Sequence, residues 1–167
     1  MTSFVSIEAD ADFGFDLQAV ADQVIEAVLD AEGCPYETSV NITLVDDPEI
    51  HRINLETREI DRATDVLSFP NLNFETPGDF SDAEEHSFDC FDPDSGELLL
   101  GDIIISVDHV RSQAKEYDHS LKREFAFLVA HSMFHLCGYD HMTTSEAAVM
   151  EEKQEAILQQ LRITREN

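Results

Sequence analysis

The chain has 167 residues, a length that predicts one domain over residues 1–167 with a hydrophobic core of its own. It carries 10 Lys and Arg against 36 Asp and Glu, a formal net charge of −26, while 43% of its residues are hydrophobic. This composition excludes a disordered chain. It also excludes bulk electrostatic attraction to nucleic acid or anionic lipid as the main driving force for binding.

Cysteine usage and the N-terminal residues predict a cytoplasmic protein. The three cysteines are scattered and odd in number, so we expect a reducing compartment rather than a disulfide framework. The first ten residues, MTSFVSIEAD, have neither the basic nor the apolar region of a signal peptide. The longest apolar run, residues 125–130, is too short to span a bilayer, so no membrane contact is expected.

Hydrophobic periodicity predicts alternating strands and helices in the first half of the chain. In order, the elements are a strand over residues 2–9, a helix over 17–32, a strand over 39–45, a helix over 48–57 and a strand over 65–69. Asp16 is the expected N-cap of the first helix. Pro48 suits the first turn of the second, where the N–H that it lacks would be unpaired anyway.

Residues 71–97 interrupt this pattern and form an acidic insert. Nine acidic residues and neither Lys nor Arg lie between residues 75 and 97. Because the insert carries few periodic apolar residues, we expect it to lie outside the core. Three roles stay open: a lid over a cleft, a docking surface for a basic partner, or a solvated loop.

The second half predicts one strand and three helices. They are a strand over residues 98–106, a helix over 107–117, a helix over 121–137, and a helix that begins at Thr143 or Thr144 and ends near 163. Ser120 is the expected N-cap of the middle helix, Gly138 ends it, and Glu146 is a capping-box acid for the last. The order predicts an α/β (α+β) fold with a small mixed sheet of about four strands packed with helices.

The most informative segment is residues 131–141. His131 and His135 are four residues apart, so on a helix their imidazoles lie about 40° apart around the axis and about 6 Å along it, and both reach one point. Gly138 lets the chain turn so that His141 returns to that point. Three neutral imidazoles with water in a fourth position are the layout of a catalytic zinc site. The scattered histidines are better explained as solvated or core residues: His51, His86, His109 and His119.

The histidine spacing resembles the HExxHxxGxxH pattern of the metzincin proteases, with one departure. Ser132 stands where those proteases carry a general-base Glu, and Ser is a poor base. Cys137 lies on another face of the helix and is expected to be a core thiol. Asp140 has two open roles, as an acceptor for a ligand imidazole or as a base.

Three blocks of the chain resemble the YbeY endoribonucleases, also called rRNA maturation factors. Residues 58–70 are similar to R-x-x-D-x-x-T-D-V-L-S-F-P, residues 100–106 to L-G-D-I-x-I-S, and residues 131–141 to H-G-x-L-H-L-x-G-Y-D-H. Two positions depart from this pattern: Ser132 replaces the usual Gly and Phe134 the usual Leu. We expect Ser132 to narrow the cleft beside the histidines or to donate a hydrogen bond.

The resemblance implies a zincin-like fold that holds one Zn²⁺ per chain through His131, His135 and His141. It implies a single-strand-specific, zinc-dependent endoribonuclease that acts in late maturation of the 16S rRNA 3′ end and in ribosome quality control. It also implies catalytic roles for Arg58 and His131. A guanidinium suits the negative charge of a phosphoryl transition state, because it binds phosphate oxygens in a bidentate way. Asp65 and Asp102 are expected to be buried and to make structural hydrogen bonds.

The net charge conflicts with tight RNA binding, since only 10 cationic residues are available. We therefore expect ribosomal RNA to be presented by the small ribosomal subunit or its basic proteins, with neither DNA nor a membrane as a partner. Two alternatives stay open. One is a metal-bound ribosome-assembly factor with little intrinsic catalysis. The other is a zincin-type hydrolase of another substrate such as a peptide, against which Ser132 argues.

Overall fold

The computed structural model of the protein describes residues 1–81, 83 and 90–163. Nine elements follow along them: β1 (Thr2–Ile7), α1 (Leu17–Ala31), β2 (Thr38–Val45), α2 (Asp47–Arg58), β3 (Val66–Pro70), β4 (Leu98–Ser106), α3 (Val107–Glu116), α4 (Leu121–Leu136) and α5 (Thr144–Gln160). Each corresponds to a predicted element, with ends that differ by at most three residues. The predicted N-caps are also present, and Thr143 and Glu146 form a capping box at the start of α5.

The four strands form one mixed sheet in the order β1-β2-β4-β3. β2 pairs in parallel with both β1 and β4, and β3 pairs antiparallel with β4 at the sheet edge. This arrangement confirms the predicted α/β (α+β) class. The chain crosses from β1 to β2 through α1, and α2 connects β2 to β3, which lies beside β4.

A β-bulge in β4 decides which side chains face the core. Ser39 of β2 pairs with Leu99, and Val40 pairs with Gly101, so Leu100 is the extra residue. The bulge shifts the alternation by one residue, so that Asp102 faces solvent. Gly101 is required there, because a Cβ would lie 2.5 Å from the carbonyl oxygen of Phe69. The prediction that Asp102 is buried is therefore wrong, although its carboxylate does accept a hydrogen bond, from Asn41 at 3.1 Å.

The core lies between the sheet and helices α1 and α4. Eleven of the 16 residues of α4 are buried, including Phe125 and Phe134, so this helix is enclosed on most sides. On the opposite face of the sheet, Ile50 of α2 packs with Val45 and Leu67 in a second, smaller cluster. The main core encloses α4 along its length, including the last two turns, which carry His131 and His135.

The acidic insert contributes to the core, and the prediction that it lies outside the core is wrong. Phe80, Ala83 and Cys90 are buried in the main cluster, and the backbone N–H of Gly78 donates to the carbonyl of Cys137 at 2.8 Å. These three apolar residues are irregularly spaced along the insert, so no periodic pattern marks them in the sequence. The expected acidic surface of residue 82 and residues 84–89 lies outside the described residues.

No disulfide joins the three cysteines. In the described ranges, none of the helices has the length and apolar character needed to cross a membrane.

We expect Phe80→Ala to lower the free energy of unfolding by about 3 kcal/mol, because the ring is 5% exposed and removal of a buried Phe leaves a cavity. Its ring packs edge-to-face on Phe74, with centroids 5.3 Å apart. Phe4→Ala is the matched control: that ring is 58% exposed, so its loss should change stability by less than about 0.5 kcal/mol. Urea denaturation measures the stability of both variants. Equal unfolding midpoints for the two variants would contradict a core role for the insert.

Candidate metal centre

The local chain path after α4 brings a third histidine to the two on the helix. The helix ends at Leu136, and the chain reverses at Gly138 with φ +96°. A side chain is excluded at this position twice over, by that φ and because a Cβ would lie 2.5 Å from Cβ of Phe74. The turn is held by a hydrogen bond of 2.9 Å from His135 Nδ1 to the carbonyl of Tyr139.

The three histidines predicted as ligands lie together at this turn. Nε2 of His131 is 3.1 Å from Nε2 of His135, and one nitrogen of each of the three rings lies within 4.8 Å of the others. Two ligands of a tetrahedral zinc ion, each about 2.0–2.1 Å from the metal, lie about 3.3–3.4 Å apart. The cluster therefore fits a divalent ion, with His141 the exposed member.

Burial keeps the two helix histidines neutral. The pKa of His131 falls to about 4, chiefly because of burial and next because of the nearby charge of His135 when protonated, against a smaller opposing effect of Asp65. Burial also lowers the pKa of His135. Both rings thus carry, at neutral pH, the uncharged form that a metal requires.

Gln154 of α5 is a contact of the centre that sequence reasoning missed. Its side-chain amide lies 2.8 Å from Nδ1 of His131, and the residue is 2% exposed. The buried residues of α5 recur at helical spacing: Met150, Gln154, Ile157 and Leu158. A single polar residue in that apolar stripe is the feature from which the contact could have been found.

The histidines line a cleft of about 760 Å³ between β3, the end of α2 and the first residues of the insert. Arg58, the last residue of α2, lines it too, and its charge contributes to lowering the pKa of His135. In the described part of the chain the guanidinium of Arg58 has neither an ion pair nor a hydrogen bond. Arg52, on the same helix, instead binds Glu49 and Glu56.

Ser132 does not face this cleft, so the expectation that it narrows the cleft is wrong. Its side chain is fully buried, and its hydroxyl lies 2.9 Å from that of Ser68 in β3. One residue after His131 in a helix is a rotation of about 100°, which here points into the protein. Ser132 does make a hydrogen bond, but as the acceptor from Ser68 rather than as the expected donor, and that bond joins α4 to the strand beside the cleft.

Asp65, Asp140 and Cys137 are the remaining residues for which the sequence predicts a role. Asp65 lines the cleft and is only half-buried, so the prediction that it is buried is wrong, but its carboxylate makes the predicted structural hydrogen bond by accepting from the backbone N–H of Val66 at 2.8 Å. The carboxylate of Asp140 accepts from the backbone N–H of His141 at 2.8 Å, and its two roles, as an acceptor for a ligand imidazole or as a base, stay predictions. Cys137 is a core thiol as predicted, and burial raises its pKa.

Replacing Ser132 should affect folding rather than the cleft. Ser132→Ala leaves the Ser68 hydroxyl without its partner, and we expect a loss of about 1 kcal/mol in urea denaturation with metal content unchanged. Ser132→Glu places a carboxylate in a fully buried position and should prevent folding. A Glu variant with the stability of the parent would show that this side chain reaches solvent.

Comparisons with known proteins agree with the geometry. A sequence model of the family described as "Endoribonuclease YbeY" matches residues 5–162. A solution structure, that of TM1509 from Thermotoga maritima, has the same fold with a TM-score of 0.58 and 22% identity, over 96% of this chain and 92% of that one.

Curated relatives match over nearly the whole length. A protein of Agathobacter rectalis named "Endoribonuclease YbeY" is 59% identical over 165 residues, which is 99% of this chain and 100% of the relative. A protein of the same name from Lachnoclostridium phytofermentans is 56% identical with the same coverage, and one from Lachnospira eligens is 51% identical over 169 residues. The chain therefore belongs to the YbeY endoribonuclease family.

Proposed function

We propose that this protein is a zinc-dependent endoribonuclease that cleaves single-stranded RNA, in late maturation of the 16S rRNA 3′ end and in ribosome quality control. The observation that carries the proposal is the presence in one cleft of a three-imidazole cluster and a guanidinium without an ion-pair partner in the described residues. Membership of a family of endoribonucleases supports hydrolysis of RNA as the reaction.

The donor set supports zinc as the metal, with one ion per chain. Three neutral nitrogen ligands with room for water or substrate are the arrangement of catalytic zinc sites. We assign His131, His135 and His141 as the ligands, and we also count His131 as catalytic because it belongs to this cluster in the cleft. When bound, zinc supplies a Lewis acid and lowers the pKa of a coordinated water toward about 7.

Arg58 is the residue to which we assign transition-state stabilisation. It is the one Lys or Arg among the described residues that line the cleft, so no neighbouring cation replaces it. A guanidinium binds two phosphate oxygens at once and stays charged at every relevant pH. Its position at the C-terminal end of α2, opposite the histidines, allows it to contact a phosphate that lies at the cluster.

The charge of the protein supports presentation of the RNA by a partner. A net charge of −26 repels RNA at long range, and Asp65 and Asp140 place two carboxylates at the cleft itself. An acidic surface attracts basic proteins, so we propose the small ribosomal subunit or its basic proteins as the partner. We place this activity in the cytoplasm, and neither DNA nor a membrane is part of the proposal.

His135→Ala should abolish zinc binding, because two imidazoles hold the ion far less tightly than three. Elemental analysis of the purified wild-type protein should give close to one zinc per chain. His51→Ala is the control, since this histidine lies on α2 and binds Asp61 at 2.6 Å, away from the cluster. Full zinc content in His135→Ala would contradict the assigned ligands.

Arg58→Ala should slow cleavage of single-stranded RNA by about 100-fold or more, because removal of one group that stabilises transition-state charge costs about that much. Zinc content and stability should not change. Arg58→Lys should recover only part of the rate, since an ammonium cannot make the bidentate contact.

Arg52→Ala is the matched control on the same helix, because its guanidinium is exposed and, within the described residues, pairs with Glu49 and Glu56. Equal rates for Arg58→Ala and Arg52→Ala would contradict the assignment. A zinc-loaded wild-type protein that leaves single-stranded RNA intact would instead support the assembly-factor alternative.

A further inference from the structure

Each helix histidine of the centre has a hydrogen-bond partner on its second ring nitrogen, and the two partners differ in kind. Nδ1 of His135 faces the carbonyl of Tyr139, which can only accept. The proton of His135 is therefore on Nδ1, and its Nε2 has a lone pair. Nδ1 of His131 faces the side-chain amide of Gln154, which has both a donor and an acceptor end.

The contacts in the structure form one continuous set of hydrogen bonds with both rings neutral. The amide N–H of Gln154 donates to Nδ1 of His131 at 2.8 Å, so the single proton of that ring is on Nε2. Nε2–H then donates to Nε2 of His135 at 3.1 Å. In this arrangement the two helix histidines bind each other, and Nε2 of His131 offers no lone pair to a metal.

We propose that Gln154 is a positioning residue that sets which nitrogen of His131 carries the proton, and thereby sets the affinity of the three-histidine cluster for zinc. The inference rests on the proposed zinc site. Binding through Nε2 requires the proton of that ring to leave Nε2 and an N–H bond to form at Nδ1. The ring stays neutral throughout, and the amide accepts the new N–H by turning its oxygen toward it.

The surroundings of Gln154 make this role specific. The side chain is 2% exposed and lies in the apolar stripe of α5, so water does not readily replace the amide. The helix is fixed at its start by the capping box of Thr143 and Glu146. His141 differs, because its ring is exposed and has no side-chain hydrogen-bond partner in the described residues. Tyr139 and Gln154 thus orient two of the three ligands.

Three variants test the inference through zinc affinity, measured by competition with a chromogenic chelator. Gln154→Met keeps the size of the side chain and removes the acceptor, and should weaken zinc binding by about 10- to 100-fold. Gln154→Glu keeps an acceptor for Nδ1–H and should recover most of that loss. Gln159→Met, at an exposed position of α5, should bind zinc as the wild type does.

The position of the ring proton gives a readout that a merely structural role would not change. Nitrogen-15 NMR of histidine-labelled, metal-free wild-type protein should show His131 protonated at Nε2 and His135 at Nδ1. Addition of zinc, or the Gln154→Glu substitution alone, should move the proton of His131 to Nδ1.

Wild-type zinc affinity in a folded Gln154→Met variant would overturn the inference while the zinc site stands. An unchanged His131 tautomer in Gln154→Glu would overturn it as well, and this second measurement decides the question even if the Met variant does not fold. Failure of the wild-type protein itself to bind zinc would overturn the zinc site, and the inference with it.

Discussion

Two neutral imidazoles held 3.1 Å apart at the end of a buried helix are the constraint on which the site depends. Such a pair would separate if both rings were protonated, and burial prevents this by lowering both pKa values. Burial in turn requires that α4 be enclosed, which the sheet, α1 and α5 accomplish. The hydrogen bonds from Tyr139 and Gln154 fix the rings once the helix is in place. The packing that forms the core therefore also keeps the two helix histidines neutral and in position.

The cleft walls come from parts of the chain that are otherwise unrelated. Arg58 lies at the end of α2, on the face of the sheet opposite the main core, while the insert supplies Phe74 at the turn of Gly138. The contact of Phe74 with this turn attaches the acidic insert to the rest of the protein, although the insert has no periodic pattern of apolar residues. Among the described residues that line the cleft, Arg58 is the one cationic side chain, although the protein as a whole is strongly acidic. A net charge of −26 opposes tight binding of RNA by bulk electrostatic attraction.

Much of the fold and the cluster was predictable because local rules govern them. The spacing of His131, His135 and His141 around a helix-ending Gly138 determines their meeting, and N-cap residues mark the helix starts. The bulge at Leu100 was not predictable, because three consecutive Leu and three consecutive Ile flank Gly101 and Asp102, and such runs fit either alternation of side chains. The burial of Ser132 depends on what packs against α4, and the role of Gln154 on which ring it meets. Both are properties of tertiary contacts between elements distant in sequence.

Cleavage of a single-stranded RNA before and after removal of bound metal tests the central claim most directly. The purified protein would be treated with a chelator, assayed, supplied with zinc and assayed again, with His135→Ala protein measured in parallel to report any contaminating nuclease. The account predicts that chelation lowers the rate to that of His135→Ala, and that zinc restores the wild-type protein but not the variant. Cleavage by the metal-free protein at the rate of the zinc-loaded protein would contradict it.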